Sequence, residues 1–354
     1  MKTAVIINDT SYKPHHGCET VVHNIIFLLH KRDIETIATN QVGISWDNKD
    51  FLNHMKNADI VIVNGEGTLH HAGNRAKDLA RVGQYVKEHL FKPVVLINTI
   101  YQDNGPEIGA YMKYFDLIFV RESFSQIELK KIGILSYVVP DMTFYTPYDL
   151  ADKHIVNDIG VSDSVYSSVS KKLYNFCMYN HYRFLPILSV PKINKFNYCS
   201  SWLKLARFLI LKWIKIILLK LGIPLSYKQK RFLYFIESYK DYINTISNLK
   251  LFISGRFHSL CFALKTMTPF IAIRSNSHKI EGMLADIGIG YDRILEVDDI
   301  EECKLKKYIE WSDDESTKIH QYINEAPLKI EEMFDKILVI ANNVKLEAGD
   351  SSEK

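Results

Sequence analysis

The chain has 354 residues, 47% of them hydrophobic and 24% charged, the balance of a folded globular protein with room for two α/β domains. A formal net charge of +3 is too small to argue for a nucleic-acid partner, and none is expected. Five scattered cysteines with no C-x-x-C pair exclude a disulfide framework, and a reducing cytoplasm fits them best.

In chain order, residues 2–9 (KTAVIIND) form a short β-branched run ending in polar residues, the first strand of a parallel sheet rather than a signal peptide. A Pro/Gly loop, TSYKPHHGCE, leads to a helix over 20–32 with basic residues at its C-terminal end. Strands are then expected over 34–40, 58–65, 93–101, 116–123 and 136–145, alternating with helices over 50–58, 74–90, 107–115 and 123–134. A boundary falls within the polar stretch 148–157. The pattern then restarts: a strand from 157, a helix near 167–178, a strand candidate FLPILSV (184–190) and a helix over 234–248. Strand 250–255, helix 256–267, strand 268–273 and helix 278–288 follow. Beyond Ser312 the chain reads as helical, broken at Pro327, with a tail of low order over 346–354. The expected fold class is therefore α/β, two Rossmann-like doubly wound domains facing a cleft. They occupy 1–150 and 157–312, with C-terminal helices over 313–345. Ligands in such sheets sit at the C-terminal ends of strands, which singles out the loops 8–19, 64–75, 98–107, 121–125, 160–168, 189–200, 254–259 and 274–279.

Charge is unevenly placed. From Ser164 to Ile236 there is no Asp or Glu, against thirteen Lys and Arg. Within this segment, an insertion at about 200–224 carries Lys204, Arg207, Lys212, Lys215 and Lys220 at helical spacing, with Trp202, Leu205, Leu209 and Trp213 on the other faces. So many charges argue against a spanning helix. The pattern suits a helix in the membrane interface, Trp202, Arg207, Lys212, Trp213 and Lys215 making the contact. An ordinary amphipathic helix packed on its own domain is the other reading.

Two stretches carry chemistry. NGEGTLHH (64–71) follows an apolar strand. Gly65 and Gly67 allow close backbone approach, and Glu66 is a candidate general base or an acceptor for a sugar hydroxyl. His70 and His71 are adjacent and diverge, and no H-x-x-H spacing is present, so no metal is assigned. SGRFHSL (254–260) lies between a strand and a helix start. Arg256 and His258 stand in the first turn, where two basic groups oppose the helix dipole unless an anion binds. Ser254, Gly255 and Ser259 would line the same anion site.

ISGRFHSLCFALKTMTPFIAI, followed by SHKIEGMLADIG, resembles the C-terminal signature of the polysaccharide pyruvyl transferase family, with its R-x-H helix start and K–G–L–D helix. FVRESFSQIELKKIGILSYVVPDMTFY is similar to the family's mid-chain segment ending in Pro-Asp. The resemblance covers about residues 1–145 and 250–290. Two departures are visible: Gly65-Glu66-Gly67 replaces a run of glycines, and His15-His16-Gly17-Cys18-Glu19 stands in place of an N-x-G-(D) loop. The resemblance implies a GT-B-like fold and transfer of a pyruvyl group from phosphoenolpyruvate, a substrate rather than a cofactor, onto two sugar hydroxyls as a ketal. No separate cofactor is expected. It also implies that Arg256 and His258 face the donor's phosphate and carboxylate, with His258 protonating the enol carbon; on this reading Glu66 or Asp9 takes the hydroxyl proton. Gly65, Gly67, Thr68, His70 and His16 fall on the acceptor side. The alternative is a GT-B glycosyltransferase with a nucleotide-sugar donor. In both cases the acceptor is a glycan or lipid-linked saccharide, and the expected location is cytoplasmic, at the inner face of the plasma membrane.

Overall fold

The computed structural model describes residues 1–149, 154–191 and 198–349. The last residues of the expected tail, 350–354, and the middle of the expected domain boundary lie outside that set.

The first domain is a six-stranded parallel sheet in the order β2-β1-β3-β4-β5-β6, made of β1 (Lys2–Asp9), β2 (Ile34–Gln41), β3 (Ile60–Glu66), β4 (Val94–Thr99), β5 (Leu117–Val120) and β6 (Tyr137–Val138). Its pleat sorts side chains to two cores. Val5, Ile7, Val61 and Val63 pack with the helices of one face. Ala4, Ile6, Ile60 and Ile62 face a larger core shared with the second domain. Because both faces are covered, the central strands β3 and β4 are fully buried and mostly apolar, whereas the edge strand β2 keeps polar residues.

The second domain repeats the plan with five parallel strands, β7 (Val156–Ser164), β8 (Arg183–Phe184), β9 (Leu249–Gly255), β10 (Phe270–Ile273) and β11 (Ile294–Leu295), ordered β11-β10-β9-β7-β8. In each sheet the chain winds both ways from one strand pair, β1/β3 and β7/β9. A doubly wound sheet opens its ligand crevice at such a switch point. The expected strand over 184–190 is only two residues long: Pro186 lacks the amide that would continue the ladder, and the chain turns instead toward the first domain. Its Leu188 bridges His15, and the Ser189 amide donates to the Pro14 carbonyl at 3.0 Å.

The C-terminal helix Asp313–Gly349 runs through Pro327 without the expected break. It crosses back to the first domain. Glu331 takes Arg32 and Lys31 at 2.6 Å each, and Asp335 pairs Arg32 at 2.7 Å. Phe334 and Ile337 are fully buried in the shared core. This packing compensates for the carbonyl that the proline leaves unpaired and holds the domains against each other.

Candidate functional site

Three of the loops at the carboxyl edge of the first sheet bend through left-handed backbone at residues other than glycine: Asn8 (φ 65°), Glu66 (φ 41°) and Asn98 (φ 53°). Such conformations cost about 1–3 kcal/mol each and concentrate at ligand sites. Here each is fixed by contacts. Asn8 Nδ2 donates to the Asn64 carbonyl at 2.7 Å, and Asn98 Oδ1 accepts the Met142 amide at 3.2 Å. Glu66 is buried. Its Oε1 accepts the Thr10 hydroxyl and, at 3.3 Å, Asn64 Nδ2, while Oε2 accepts the Cys18 thiol at 3.6 Å.

Glu66, Gly67, Thr68 and His70 line a cavity of about 690 Å³, together with Asn8, Thr10, Asn40, Trp46 and Arg75. Its amides, hydroxyls and one indole are the groups that bind a sugar ring. Gly65, by contrast, packs inward: a Cβ there would meet Thr99 Oγ1 at 2.2 Å.

Across the domain boundary stands a basic cluster. Arg256 follows β9 and presents Nε and Nη2 to Asp163 Oδ2 at 3.0 and 2.5 Å, with Asp163 buried at the end of β7. Ser254 Oγ accepts the Arg256 amide at 3.0 Å and so sets the turn. Gly255 lies against Ser164, whose Cβ would be 2.7 Å from an added one. Two residues on from Arg256, His258 Nε2 faces Asp141 Oδ2 at 3.5 Å. Asp141 Oδ2 also takes Arg121 Nη1 at 3.1 Å, and Asp141 Oδ1 caps the turn Met142–Phe144 through the Thr143 amide. Burial opposes ionisation of Asp141, but His258, Arg121 and the Thr143 amide outweigh it and hold the carboxyl below its usual range. The Arg121 guanidinium stacks on the Phe257 ring at 4.3 Å and lies beside Gly67.

The third cation is Lys279, at the start of the helix Lys279–Ile287. It is 6% exposed, and its ammonium donates to the Asn276 side-chain oxygen at 2.5 Å, with no carboxylate at salt-bridge distance among the described residues. Burial first, then Arg121 and Arg256, push it down to about 7. His70 closes the group. Its Nε2 lies 3.3 Å from Asn276 Nδ2, and burial, Lys279, His71 and Arg121 push it down to about 4, so it is neutral near pH 7. Three basic side chains and two histidines thus converge where the two sheets' carboxyl edges meet. A buried, repelled ammonium is stabilised by an anion at that point.

His15, Cys18 and His258 bring three donor atoms within 4.8 Å of one another. His15 Nδ1 accepts the Cys18 amide at 3.2 Å. Burial first, then the charge of Glu66, hold the Cys18 thiol well above its usual value. A protonated thiol bonded to a carboxylate is a poor metal ligand, and the cluster packs the Glu66 side against the His258 side, the His15 and His258 rings meeting edge-on with centroids 5.5 Å apart. Gly17 belongs to it: a Cβ there would meet the His258 ring at 2.3 Å.

Three expected site residues have other work. Asp9 is buried, its Oδ1 accepting the Ser11 amide and hydroxyl at 2.9 and 2.5 Å, so it caps a turn. His16 is fully buried and stacks on Tyr242 with centroids 4.6 Å apart. Ser259 is fully buried, its hydroxyl 3.0 Å from the Tyr242 hydroxyl. Loop position placed all three near the crevice, but their side chains point into the fold.

The remaining motif residues join the domains. Glu122 caps the helix Ser123–Lys131 and faces His278 Nε2 at 3.4 Å. Gly282 is pressed against Glu122, and Asp286 accepts the Ser123 amide at 3.0 Å. The R-E-S and K–G–L–D stretches are therefore two sides of one interdomain contact, with Arg121 and Lys279 aimed into the crevice.

The family model for polysaccharide pyruvyl transferase matches residues 5–277. No curated protein matches the chain. Among solved structures, it resembles a protein assigned as a UDP-N-acetylglucosamine 2-epimerase from Listeria monocytogenes, at 11% identity and a TM-score of 0.53, covering 98% of both chains. It also resembles the UDP-GlcNAc 2-epimerase of Methanocaldococcus jannaschii, at 14% identity and a TM-score of 0.50, covering 92% of this chain and 99% of that one. An α-glucosyltransferase solved with UDP and DNA shares 11% identity at a TM-score of 0.50, over 96% of this chain and 99% of that one. These likenesses carry the two-domain GT-B-like fold alone. With more than half of its length matched, the chain belongs to the polysaccharide pyruvyl transferase family and is a transferase.

Proposed function

We propose that the chain moves a pyruvyl group from phosphoenolpyruvate onto two hydroxyls of a glycan, forming a cyclic ketal and releasing phosphate. The observation that carries this reading is Lys279, a buried ammonium with no carboxylate at salt-bridge distance among the described residues, beside Arg121 and Arg256. Phosphoenolpyruvate carries a phosphate and a carboxylate on the same carbon, and two guanidinium groups with one ammonium suit that pair.

His258 then delivers its proton to the donor methylene, which becomes the methyl group. The first sugar hydroxyl adds to the neighbouring carbon, losing its proton toward Glu66. The carbon–oxygen bond to phosphate breaks with the electron pair on oxygen. The second hydroxyl closes the ketal, and its proton leaves with phosphate. Asp141 lies 3.5 Å from His258 Nε2 and positions the imidazole. The sugar rests in the cavity that Glu66, Thr68 and Trp46 line.

A nucleotide-sugar donor is the competing reading. It has the shared fold behind it, whereas a glycosyltransferase has no need of a proton donor at His258. Phosphate release from phosphoenolpyruvate in the presence of a glycan acceptor, with no consumption of UDP-sugars, supports pyruvyl transfer. Consumption of a UDP-sugar without phosphate release from phosphoenolpyruvate overturns it.

A further inference from the structure

The helix Tyr198–Lys220 adds a surface that the site does not explain. The sequence pattern suggests basic residues on one side and Trp and Leu on the other; the structure shows which side meets the protein. Phe208 faces inward, 7% exposed, stacked on Phe235 at 5.8 Å and close to Phe232 at 6.0 Å. Lys215 lies on the same side, its ammonium 3.8 Å from the Phe232 ring centroid. At about 100° per residue, Trp202, Leu203, Ile210, Trp213, Ile214 and Ile217 fill an arc of about 120° opposite Phe208. All six are exposed, from 45% for Ile214 to 65% for Leu203 and Trp213. Arg207 and Lys220 flank this arc rather than sharing one face with Lys204, Lys212 and Lys215, because steps of three and five residues do not keep a side chain in line.

An apolar strip of this length in water is a contact surface. Its chemistry selects the partner. Indole rings at a boundary, basic groups beside an apolar arc, and no acid from Ser164 to Ile236 fit a layer that is apolar inside and anionic at its surface. Two copies facing each other would oppose like charges. Among the described residues no helix is long and apolar enough to cross a membrane, so the contact lies in the plane of the surface. The insertion also leaves and re-enters the domain beside the site: Ser189 bridges Ile236, and its neighbour Leu188 bridges His15.

We propose that this helix docks the enzyme on an anionic lipid bilayer, with the Trp213–Ile217 face among the acyl chains and Arg207 and Lys220 at the phosphates. The inference does not rest on the donor's identity, since a chain that bound no phosphoenolpyruvate would still dock. The test is flotation of the full chain with vesicles of phosphatidylcholine alone or mixed with phosphatidylglycerol. The parent floats with the anionic vesicles and weakly with the neutral ones, and high salt reduces binding. Trp213→Glu with Ile217→Glu reduces binding by about tenfold or more, and Lys220→Glu by a few-fold. Both double-variant side chains face water, so an unchanged melting curve certifies folding. Failure of the parent to float with anionic vesicles overturns the proposal. So does a solution dimer that the double variant dissociates, because a second copy would then cover the face.

Discussion

The ends of β3 and β9 occupy the same place in two copies of one topology, yet they carry opposite chemistry. β3 ends in Glu66, whose carboxylate is enclosed by hydroxyl, amide and thiol donors and opens on a cavity of mixed lining, with Asn8, Thr68 and Trp46 beside Lys13, Arg75 and Asp78. β9 leads into Arg256, which is joined by Arg121, Lys279 and His258. The fold supplies the crevice twice, and the side chains at its switch points divide the labour. On the proposed reading, the first domain supplies a proton acceptor for a neutral hydroxyl, and the second, with Arg121 lent across the boundary, a seat for an anion. Elements alone therefore locate a site, while the charges facing it assign donor and acceptor sides.

That division predicts unequal effects. The largest is expected at His258. His258→Gln lowers turnover by about 10²–10⁴-fold while leaving phosphoenolpyruvate affinity within a few-fold, read by single-turnover kinetics and calorimetry; a change confined to KM would move His258 out of the chemistry. Next, Glu66→Gln lowers turnover by about 10²-fold with donor affinity unchanged. Loss of donor binding in that variant would erase the contrast between the two strand ends.

Lys279→Met is expected to weaken donor binding by about tenfold, and it also alters the pH profile. In the free protein the ammonium titrates near 7. A bound anion favours its charged form, so binding takes up a proton above that pH and affinity falls as pH rises through it. The variant loses that slope, as titrations in buffers of different ionisation enthalpy report. The smallest effect is expected at Asp9. Asp9→Asn keeps turnover within about twofold and costs at most about 1 kcal/mol in stability, since an amide still caps the turn.

Much of the scaffold was legible. β-branched apolar runs ending in polar residues marked β1, β3, β4 and β9 to within two residues, because buried parallel strands have little other sequence option. The loops at their carboxyl ends were singled out for the same topological reason. Arg256 and His258 stood out because basic groups at a helix start need an explanation. Arg121, Asp141 and Lys279 were less visible as site residues: each sits in a recognised motif, but only the packing of the Ser123–Lys131 helix against the Lys279–Ile287 helix brings them together. His16 and Ser259 failed in the opposite sense, since loop membership does not tell which way a side chain turns. Pro327 looked like a helix break, and the shared core around Phe334 overrides it.

The central claim is that the cluster of Arg121, Arg256 and Lys279 seats phosphoenolpyruvate. Calorimetric titration of the full chain with phosphoenolpyruvate tests it most directly. The account predicts one site per chain, proton uptake above pH 7, and loss of binding in Arg256→Ala. An absence of binding by the folded parent protein, or binding unchanged in both Arg256→Ala and Lys279→Met, would contradict it.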